Sequence, residues 1–366
     1  MKRVFVALSG GVDSSVAAKL LLGEGYDVTG VFMKNWTRSI DANGRVYCPW
    51  EEDLAAARAA AAHLGIPLKI YNFEREYHDQ VVRYFFREYS TGRTPNPDVM
   101  CNREIKFGAF LVRALGEGAD YIATGHYVRL RRKSQNWELL RGIDPNKDQS
   151  YFLWAINPTV LKHSLFPIGE YTKPQVREMA REFGLPNADR KDSQGICFIG
   201  PISVQDFLRE QLPVSQGVVR SASGEVLGSH QGTHFLTIGQ RHGVGAATGQ
   251  PVYVADKDAA TNTVWVDEDW PGSRLYSRQA FVGEINWFDS RSLDRLKAQG
   301  LTCEVQVRYR QKPVKAVITA QKPSGSKAQR LTVRFSEPVR AVTEGQSLVC
   351  YNGDQLIGGG VMYGRR

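Results

Sequence analysis

The stretch that decides the fold is Val4-Phe5-Val6-Ala7-Leu8-Ser9-Gly10-Gly11-Val12-Asp13-Ser14-Ser15. Val4–Leu8 is a short apolar run that reads as a buried strand. Val16–Leu22 reads as the helix behind the turn. Gly10 and Gly11 let the backbone turn sharply and present N–H groups, and the helix N-terminus adds partial positive charge, which makes an anion cradle. Ser9, Ser14 and Ser15 can donate further hydrogen bonds. Asp13 is out of place beside a phosphate unless a divalent cation accompanies it, so Mg²⁺ is expected there. A Walker loop is excluded because the Gly-Lys-Ser/Thr ending is missing, and a dinucleotide fingerprint because G-x-G-x-x-G is missing.

Outward from this stretch, strands and helices alternate. Val28–Met33, Leu68–Phe73 and Tyr121–Thr124 read as strands; Glu51–Leu64 and Tyr77–Tyr89 read as helices. Such alternation predicts an α/β unit with a doubly wound parallel sheet, whose ligands bind outside the carboxyl ends of the strands. A helix is expected over Lys173–Phe183, with Thr172 as N-cap and Gln175 at the capping-box position, and a short one over Ser203–Leu212. After Pro213 the texture changes to short apolar runs between Gly, Ser, Asn and Asp. Strands are expected at Phe281–Trp287, Thr302–Tyr309, Val314–Ala320, Leu331–Phe335 and Ser347–Tyr351, with a hairpin turn at Asn352-Gly353. The expected domains are residues 1–212, a small central mainly-β domain at 213–275, and a C-terminal β-barrel at 276–366.

A chain of 366 residues is long for one core and suits two or three domains. The net charge is +9. It is concentrated from Tyr276 onward, where 15 Lys+Arg face 7 Asp+Glu, against 32 and 31 in the rest. That surplus points to an acidic partner for the last module. No apolar run approaches the ~20 residues that span a bilayer, and none resembles a signal-peptide core. The expectation is a cytoplasmic protein with no membrane partner.

The five cysteines are Cys48, Cys101, Cys197, Cys303 and Cys350. None forms a C-x-x-C pair, so neither a zinc ribbon nor a permanently bound metal is expected. Cys101 follows Thr94-Pro95-Asn96-Pro97-Asp98, a proline-punctuated loop, and precedes a helix expected over Glu104–Leu115. A thiol at a helix N-terminus has its pKa lowered toward the reactive thiolate. Asp98, three residues away, is a candidate acid/base. Cys197 lies between Gly195 and Gly200; an inert buried thiol is the plain alternative. Cys303 and Cys350 read as filler in strands, and Cys48 is ambiguous.

Ser9–Ser15 resembles the PP-loop ATP pyrophosphatases, with their adenine nucleotide alpha hydrolase-like fold. That superfamily cleaves ATP to AMP and pyrophosphate and adenylates a substrate oxygen. Further segments are similar to the bacterial tRNA-specific 2-thiouridylases, the MnmA/TrmU family. They include Phe32–Trp36, Gly92–Asn102, Ala123–Tyr127, Asn146–Phe152, Asp192–Gly200, Gly239–Arg241, Val307–Arg310 and Gly345-Gln346. The resemblance covers essentially the whole chain; Leu8 and Val244 stand where many members carry Met and Leu.

It implies a tRNA-uridine 2-sulfurtransferase that adenylates the C2 oxygen of the wobble uridine, then delivers sulfur from a cysteine persulfide. By the same resemblance Cys197 carries the persulfide. Cys101 attacks it, releasing sulfide or closing a transient Cys101–Cys197 disulfide. Asp98 is the acid/base, and Asn96-Pro97-Asp98 meets the target base. ATP contacts map to Ala7, Leu8, Ser9, Gly10, Gly11, Val12, Asp13, Ser14, Met33 and Gly125. The tRNA contacts map to His126, Lys147, Asp148, Gln149, Arg308, Tyr309 and Gln346. A separate sulfur-donor protein is implied. An amide-forming or lysidine-type PP-loop ligase would explain the loop but not the cysteines. An RNA-binding protein without catalysis would not need an intact loop, and a thiol redox carrier would need no ATP.

Overall fold

A computed structural model describes residues 1–37, 39–40, 46–47, 49–134, 136–191, 204–209, 211–321 and 330–366, with side chains omitted at 39, 40, 46, 47, 49 and 290. Cys48 and the stretch Asp192–Gly200 with Cys197 lie outside the described residues. The chain packs as two units. The first is Met1–Val82, Pro97–Ile202 and Asp354–Leu356; the second is Arg83–Asn96, Ser203–Gly353 and Ile357–Arg366.

The first unit holds a five-stranded sheet: β1 (Arg3–Ala7), β2 (Asp27–Lys34), β3 (Leu68–Asn72), β4 (Tyr121–Ala123) and β5 (Ser164–Leu165). The order is β3-β2-β1-β4-β5 and every pairing is parallel. The expected α/β architecture is therefore observed. The order reverses between β1 and β4, which opens a crevice at their carboxyl ends. Helix α1 (Val12–Gly23) runs longer than its apolar core suggested. It is buried on two sides. Ala18 and Leu21 join Val4, Val6 and Leu8 of the sheet core, with Leu54 and Ala57 of α2 (Pro49–Leu64). Val12, Val16 and Ala17 pack in a second cluster with Val176 and Ala180 of α3 (Lys173–Glu182). The capping signal at α3 is realised: Thr172 N donates to Gln175 Oε1 at 2.8 Å.

Two local expectations change. The helix expected from Glu104 begins at Pro97 and runs without interruption to Gly116, widening to π geometry over Cys101–Ala109. Proline in the first turn lacks only an N–H that no helix would use. A hairpin over Val128–Lys133 and Asn136–Arg141 was not foreseen. Its six-residue run Val-Arg-Leu-Arg-Arg-Lys looks like solvated chain. Glu138, buried on the facing strand, accepts from Arg131 at 2.6 Å and holds the charges in place.

The second unit holds two sheets. The central one has β6 (Gly217–Arg220), β7 (Val226–His230), β8 (Tyr253–Asp258) and β9 (Thr263–Asp267), in the order β7-β6-β9-β8. The C-terminal strands are β10 (Tyr276–Trp287), β11 (Leu301–Gln306), β12 (Val314–Ala320), β13 (Leu331–Arg340), β14 (Ser347–Asn352) and β15 (Gln355–Arg365). They run β10-β13-β12-β11-β14-β15, and β15 pairs back with β10 to close a six-stranded barrel. Val282, Val305, Ile318, Val333, Leu348 and Met362 fill it. Cys303 and Cys350 are buried in this core, and a hydrogen bond from the Cys350 thiol to Cys303 together with burial pushes the Cys350 pKa well up. Strand β11 ends at Gln306, so Arg308 and Tyr309 lie in the following turn and not on the strand. Among the described residues no helix is long and apolar enough to cross a membrane.

Candidate active site

The glycine-rich loop sits at the carboxyl end of β1, at the crevice where the strand order reverses. Gly11 is the N-cap of α1 and brings no side chain to it. The first-turn N–H groups therefore face outward without a capping side chain, the arrangement that receives an anion. Serines brace the loop from within. Ser14 Oγ and Ser15 Oγ each donate to Gly11 O at 3.1 Å, and Ser14 Oγ receives Ser9 N at 3.3 Å. From outside, Asn187 Nδ2 donates to Gly10 O at 2.8 Å and to Ser15 Oγ at 2.9 Å. Arg190 Nη1 adds a bond to Gly10 O at 3.2 Å while its Nη2 pairs with Asp53 at 2.6 Å. Neither Asn187 nor Arg190 was singled out in the sequence; each is polar chain after a helix, with nothing local to mark it.

Gly125, expected at the nucleotide, follows β4 and lies against the loop. A Cβ there would stand 2.8 Å from Ser14 N and 2.9 Å from the Asp13 carbonyl carbon, so only glycine permits this approach. Asp13 has company that the sequence did not show. Its Oδ1 accepts from Lys173 Nζ at 2.7 Å and from Tyr127 OH at 2.8 Å. Its Oδ2 takes no hydrogen bond among the described residues. Met33 is half-buried near the carboxyl end of β2, the strand beside β1.

On the Pro97–Gly116 helix, Asp98 lies in the first turn and Cys101 one turn later. The macrodipole acts mainly within the first turn, so the argument for a lowered thiol pKa from a helix start at Glu104 no longer stands. Cys101 is buried at 6% exposure. The Asp98 residue is exposed by surface area. Lost hydration raises its pKa, and Lys106 opposes the rise. Asn102, beside Cys101, donates from Nδ2 to Phe152 O at 3.1 Å.

His126 is buried at 6% exposure, with Nδ1 2.7 Å from Thr124 Oγ1 and its ring near Phe107 and Phe166. Burial, then the charge of Lys106, holds its pKa well below the ordinary histidine value. The ring is thus held inside the first unit against Thr124, Phe107 and Phe166. Asp148 is likewise a staple. It accepts from Gly142 N, Ser150 N, Ser150 Oγ and Arg141 Nη1 at 3.0–3.1 Å. Gln149 exchanges bonds with the backbone of Tyr127, Oε1 receiving Tyr127 N at 3.0 Å and Gln149 N reaching Tyr127 O at 3.1 Å. Lys147 is of intermediate exposure, and its backbone N–H donates to Asp144 O at 3.0 Å.

In the second unit, Gln346 Nε2 donates to Thr94 O and Pro95 O, both at 3.0 Å. Thr94 N donates to Glu344 O at 2.9 Å. Gly345, at φ +88°, keeps its α-carbon hydrogens against Thr94, where a Cβ would lie 2.7 Å from the carbonyl oxygen. The segment that leads into Asn96 is thus clamped by the barrel's own chain. Arg308 Nη2 donates to Ile238 O at 3.2 Å, and Tyr309 stacks beneath Arg310 at 5.2 Å.

Three family models match in series: the tRNA methyl transferase HUP domain over residues 2–201, the tRNA methyl transferase PRC-barrel domain over 205–268, and the aminomethyltransferase beta-barrel domain over 277–362. A tRNA-specific 2-thiouridylase MnmA of Idiomarina loihiensis is 46% identical over 99% of this chain and 96% of its own length. Its namesake in Bacillus cytotoxicus is 46% identical over 98% and 93%, and an MnmA 2 of Geobacillus kaustophilus 46% over 98% and 94%. The chain belongs to the tRNA-specific 2-thiouridylase MnmA family. Within this MnmA-family chain, the first unit brings together the phosphate loop, Gly125, Tyr127 and Gln149, and sets the charge of Lys106 against both Asp98 and His126. The second unit holds Asn96, Arg308, Tyr309 and Gln346. Cys197 and its pairing with Cys101 lie outside the described residues.

Proposed function

We propose that this chain converts the wobble uridine of tRNA to 2-thiouridine, using ATP and a persulfide. The carrying observation is the uncapped helix N-terminus of Ser9–Ser15, set at the strand-order reversal of a parallel sheet in a chain related to MnmA enzymes along its whole length. ATP lies with its phosphates on that N-terminus, contacted from Ala7 to Ser14, Met33 and Gly125. Among the described residues no group of three or more metal-ligating side chains exists. Mg²⁺ needs only one or two carboxylates when phosphates supply the rest, and Asp13 fits that part through Oδ2. When bound, it would offset phosphate charge.

The uridine O2 bonds to the α-phosphorus as pyrophosphate leaves. The terminal sulfur of a Cys197 persulfide then bonds to C2 and AMP departs. Cys101 attacks the remaining S–S bond, closing the Cys101–Cys197 disulfide that a cellular reductant reopens. Asp98 moves the proton, and Asn96-Pro97-Asp98 receives a base flipped out of the anticodon stack. Arg308, Tyr309, Lys147 and the turns built by His126, Asp148, Gln149 and Gln346 face the RNA. A donor protein loads the persulfide in the cytoplasm, and the working domains are 1–212, 213–275 and 276–366.

The test is turnover with unmodified tRNA, ATP, Mg²⁺ and a sulfur donor, read as 2-thiouridine in digested RNA. The native chain gives product and Cys197→Ser gives none; product from that variant would overturn the persulfide assignment. The methyl transferase wording of two family descriptions suggests another reading, which requires no AMP release. Stoichiometric AMP in the same assay decides against it.

A further inference from the structure

The turn Asn187-Ala188-Asp189-Arg190, which follows α3, has no task in the reaction above, and it meets the nucleotide loop at one atom. Arg190 N donates to Asn187 O at 3.0 Å, and Arg177 Nη1 of α3 holds the carbonyls of Ala188 and Arg190 at 3.4 and 3.2 Å. The turn aims two side chains at the Gly10 carbonyl: Asn187 Nδ2 at 2.8 Å and Arg190 Nη1 at 3.2 Å. Asp53 Oδ1 fixes the other end of the guanidinium at 2.6 Å. Gly10, at φ +79°, lies directly against α2, because a Cβ there would collide with the Asp53 carbonyl oxygen. Gly10 O can only accept, so the Asn187 amide must present its nitrogen to it. The second hydrogen of that nitrogen goes to Ser15 Oγ at 2.9 Å, and Ser15 Oγ gives its own hydrogen to Gly11 O at 3.1 Å. Asn187 is 6% exposed, and its Oδ1 is buried with no hydrogen-bond partner among the described residues. An orphan acceptor is unfavourable to folding, so stability alone would favour an apolar side chain of the same size.

We infer that Asn187 and Arg190 are positioning residues for the phosphates of ATP, because they set the orientation of the loop's peptide planes. A trans peptide is planar, and its N–H points opposite to its C=O. With Gly10 O drawn toward Asn187 and Arg190, the Gly11 N–H is turned to the other side of the loop. With Gly11 O held by Ser14 and Ser15, the Val12 N–H is turned away from the helix interior. Successive N–H groups that face out of one turn form an anion-binding nest. The Gly11 N–H makes a 3.4 Å contact with Ser9 Oγ, long enough that a charged phosphate oxygen is the better acceptor. Glycines at 10 and 11 offer little steric resistance to a flip of the peptide between them, so an external brace is what keeps one orientation. The inference rests on the reading of Ser9–Ser15 as the phosphate site for ATP.

The experiment uses the full chain without tRNA and sets two calorimetric titrations, with ATP and with inorganic pyrophosphate, beside denaturant unfolding. Asn187→Leu removes both donors and the orphan oxygen at similar volume. It is expected to bind either anion about tenfold more weakly, the size of one charged hydrogen bond, while unfolding at the native denaturant concentration or above. A residue that merely held the chain together would lose stability and spare affinity. Asn187→Asp keeps the native shape and sets an acceptor against Gly10 O. It covers the case in which Asn187→Leu fails to fold, and should weaken pyrophosphate binding at least as much. Arg190→Met should weaken both anions several-fold, and Arg190→Lys should recover part of that loss. Native pyrophosphate affinity in folded Asn187→Leu, or in Asn187→Asp, overturns the inference. Pyrophosphate that binds the native chain where ATP does not overturns the ATP reading instead, and the pyrophosphate series still judges the brace. A native chain that binds neither overturns both.

Discussion

His126 shows what a single side chain adds beyond its place in a motif. Gly125-His126-Tyr127 marks a nucleotide-side turn in the sequence, but nothing in it says that the imidazole faces inward. Burial and Lys106 lower its pKa in the folded state. The unfolded chain then binds a proton near pH 6.5 that the folded chain refuses. Stability from this group is complete above the unfolded pKa and is lost as pH falls below it, by about 1.4 kcal/mol per pH unit until the folded pKa is reached. His126→Asn keeps a polar atom near Thr124 Oγ1 and removes the titration. Denaturant unfolding of the two proteins between pH 7.5 and 5 should show a flatter pH dependence in the variant; equal slopes would mean the histidine is not held neutral. Asp13 teaches the same lesson with the opposite content. Its place in Ser9–Ser15 was legible, but its partners Lys173 and Tyr127 stand 160 and 114 residues away. No spacing rule connects such distant positions.

At the scale of elements, legibility follows packing. β1, α1 and β2 are buried on two sides and read as apolar runs, so their order was plain. The last strand, β15, was announced only by the hairpin turn at Asn352-Gly353, because Gly358-Gly359-Gly360 removes the alternation that marks a strand. Gly358 and Gly360 are required where β15 crosses β10: a Cβ on them would stand 2.6 Å from Asn286 O and 2.7 Å from Gly283 O. The Thr94–Pro95 segment looked like a free loop because prolines punctuate it, and its clamp comes from the turn before β14. Gln346→Leu is expected to keep the barrel folded and leave two carbonyls without their donor, at a cost of about 1–3 kcal/mol. Thiolation kcat should then fall well below native while tRNA affinity changes less than threefold. A variant that loses tRNA affinity at native kcat would show that Gln346 serves the RNA directly.

For the molecule as a whole, the +8 surplus after Tyr276 was visible from composition, but not its division of labour. Arg340 pairs with Asp269 at 2.9 Å and Arg365 with Asp256 at 3.2 Å, so part of the surplus holds the second unit together. Arg310, Lys312 and Lys315 are exposed. If these serve phosphates, log affinity for tRNA falls linearly with log salt, and each contact removed lowers the slope by roughly one. Filter-binding titrations of the Arg310→Ala/Lys312→Ala double variant from 50 to 300 mM salt should give a shallower line than native; an identical slope would place the RNA elsewhere. The family was legible because its motifs are dense, whereas the side chains that brace those motifs are scattered along the chain.

The grip of Gln346 on Thr94 and Pro95 has a consequence for biosynthesis. The ribosome makes residue 94 well before residue 346. Arg83–Asn96 belongs to the unit that holds the later-made barrel. A nascent or truncated chain that stops short of Gln346 has its glycine-rich loop but leaves the Thr94–Pro95 segment without its clamp. In the growing chain the Thr94–Pro95 segment gains its fixed shape only once residue 346 has been made.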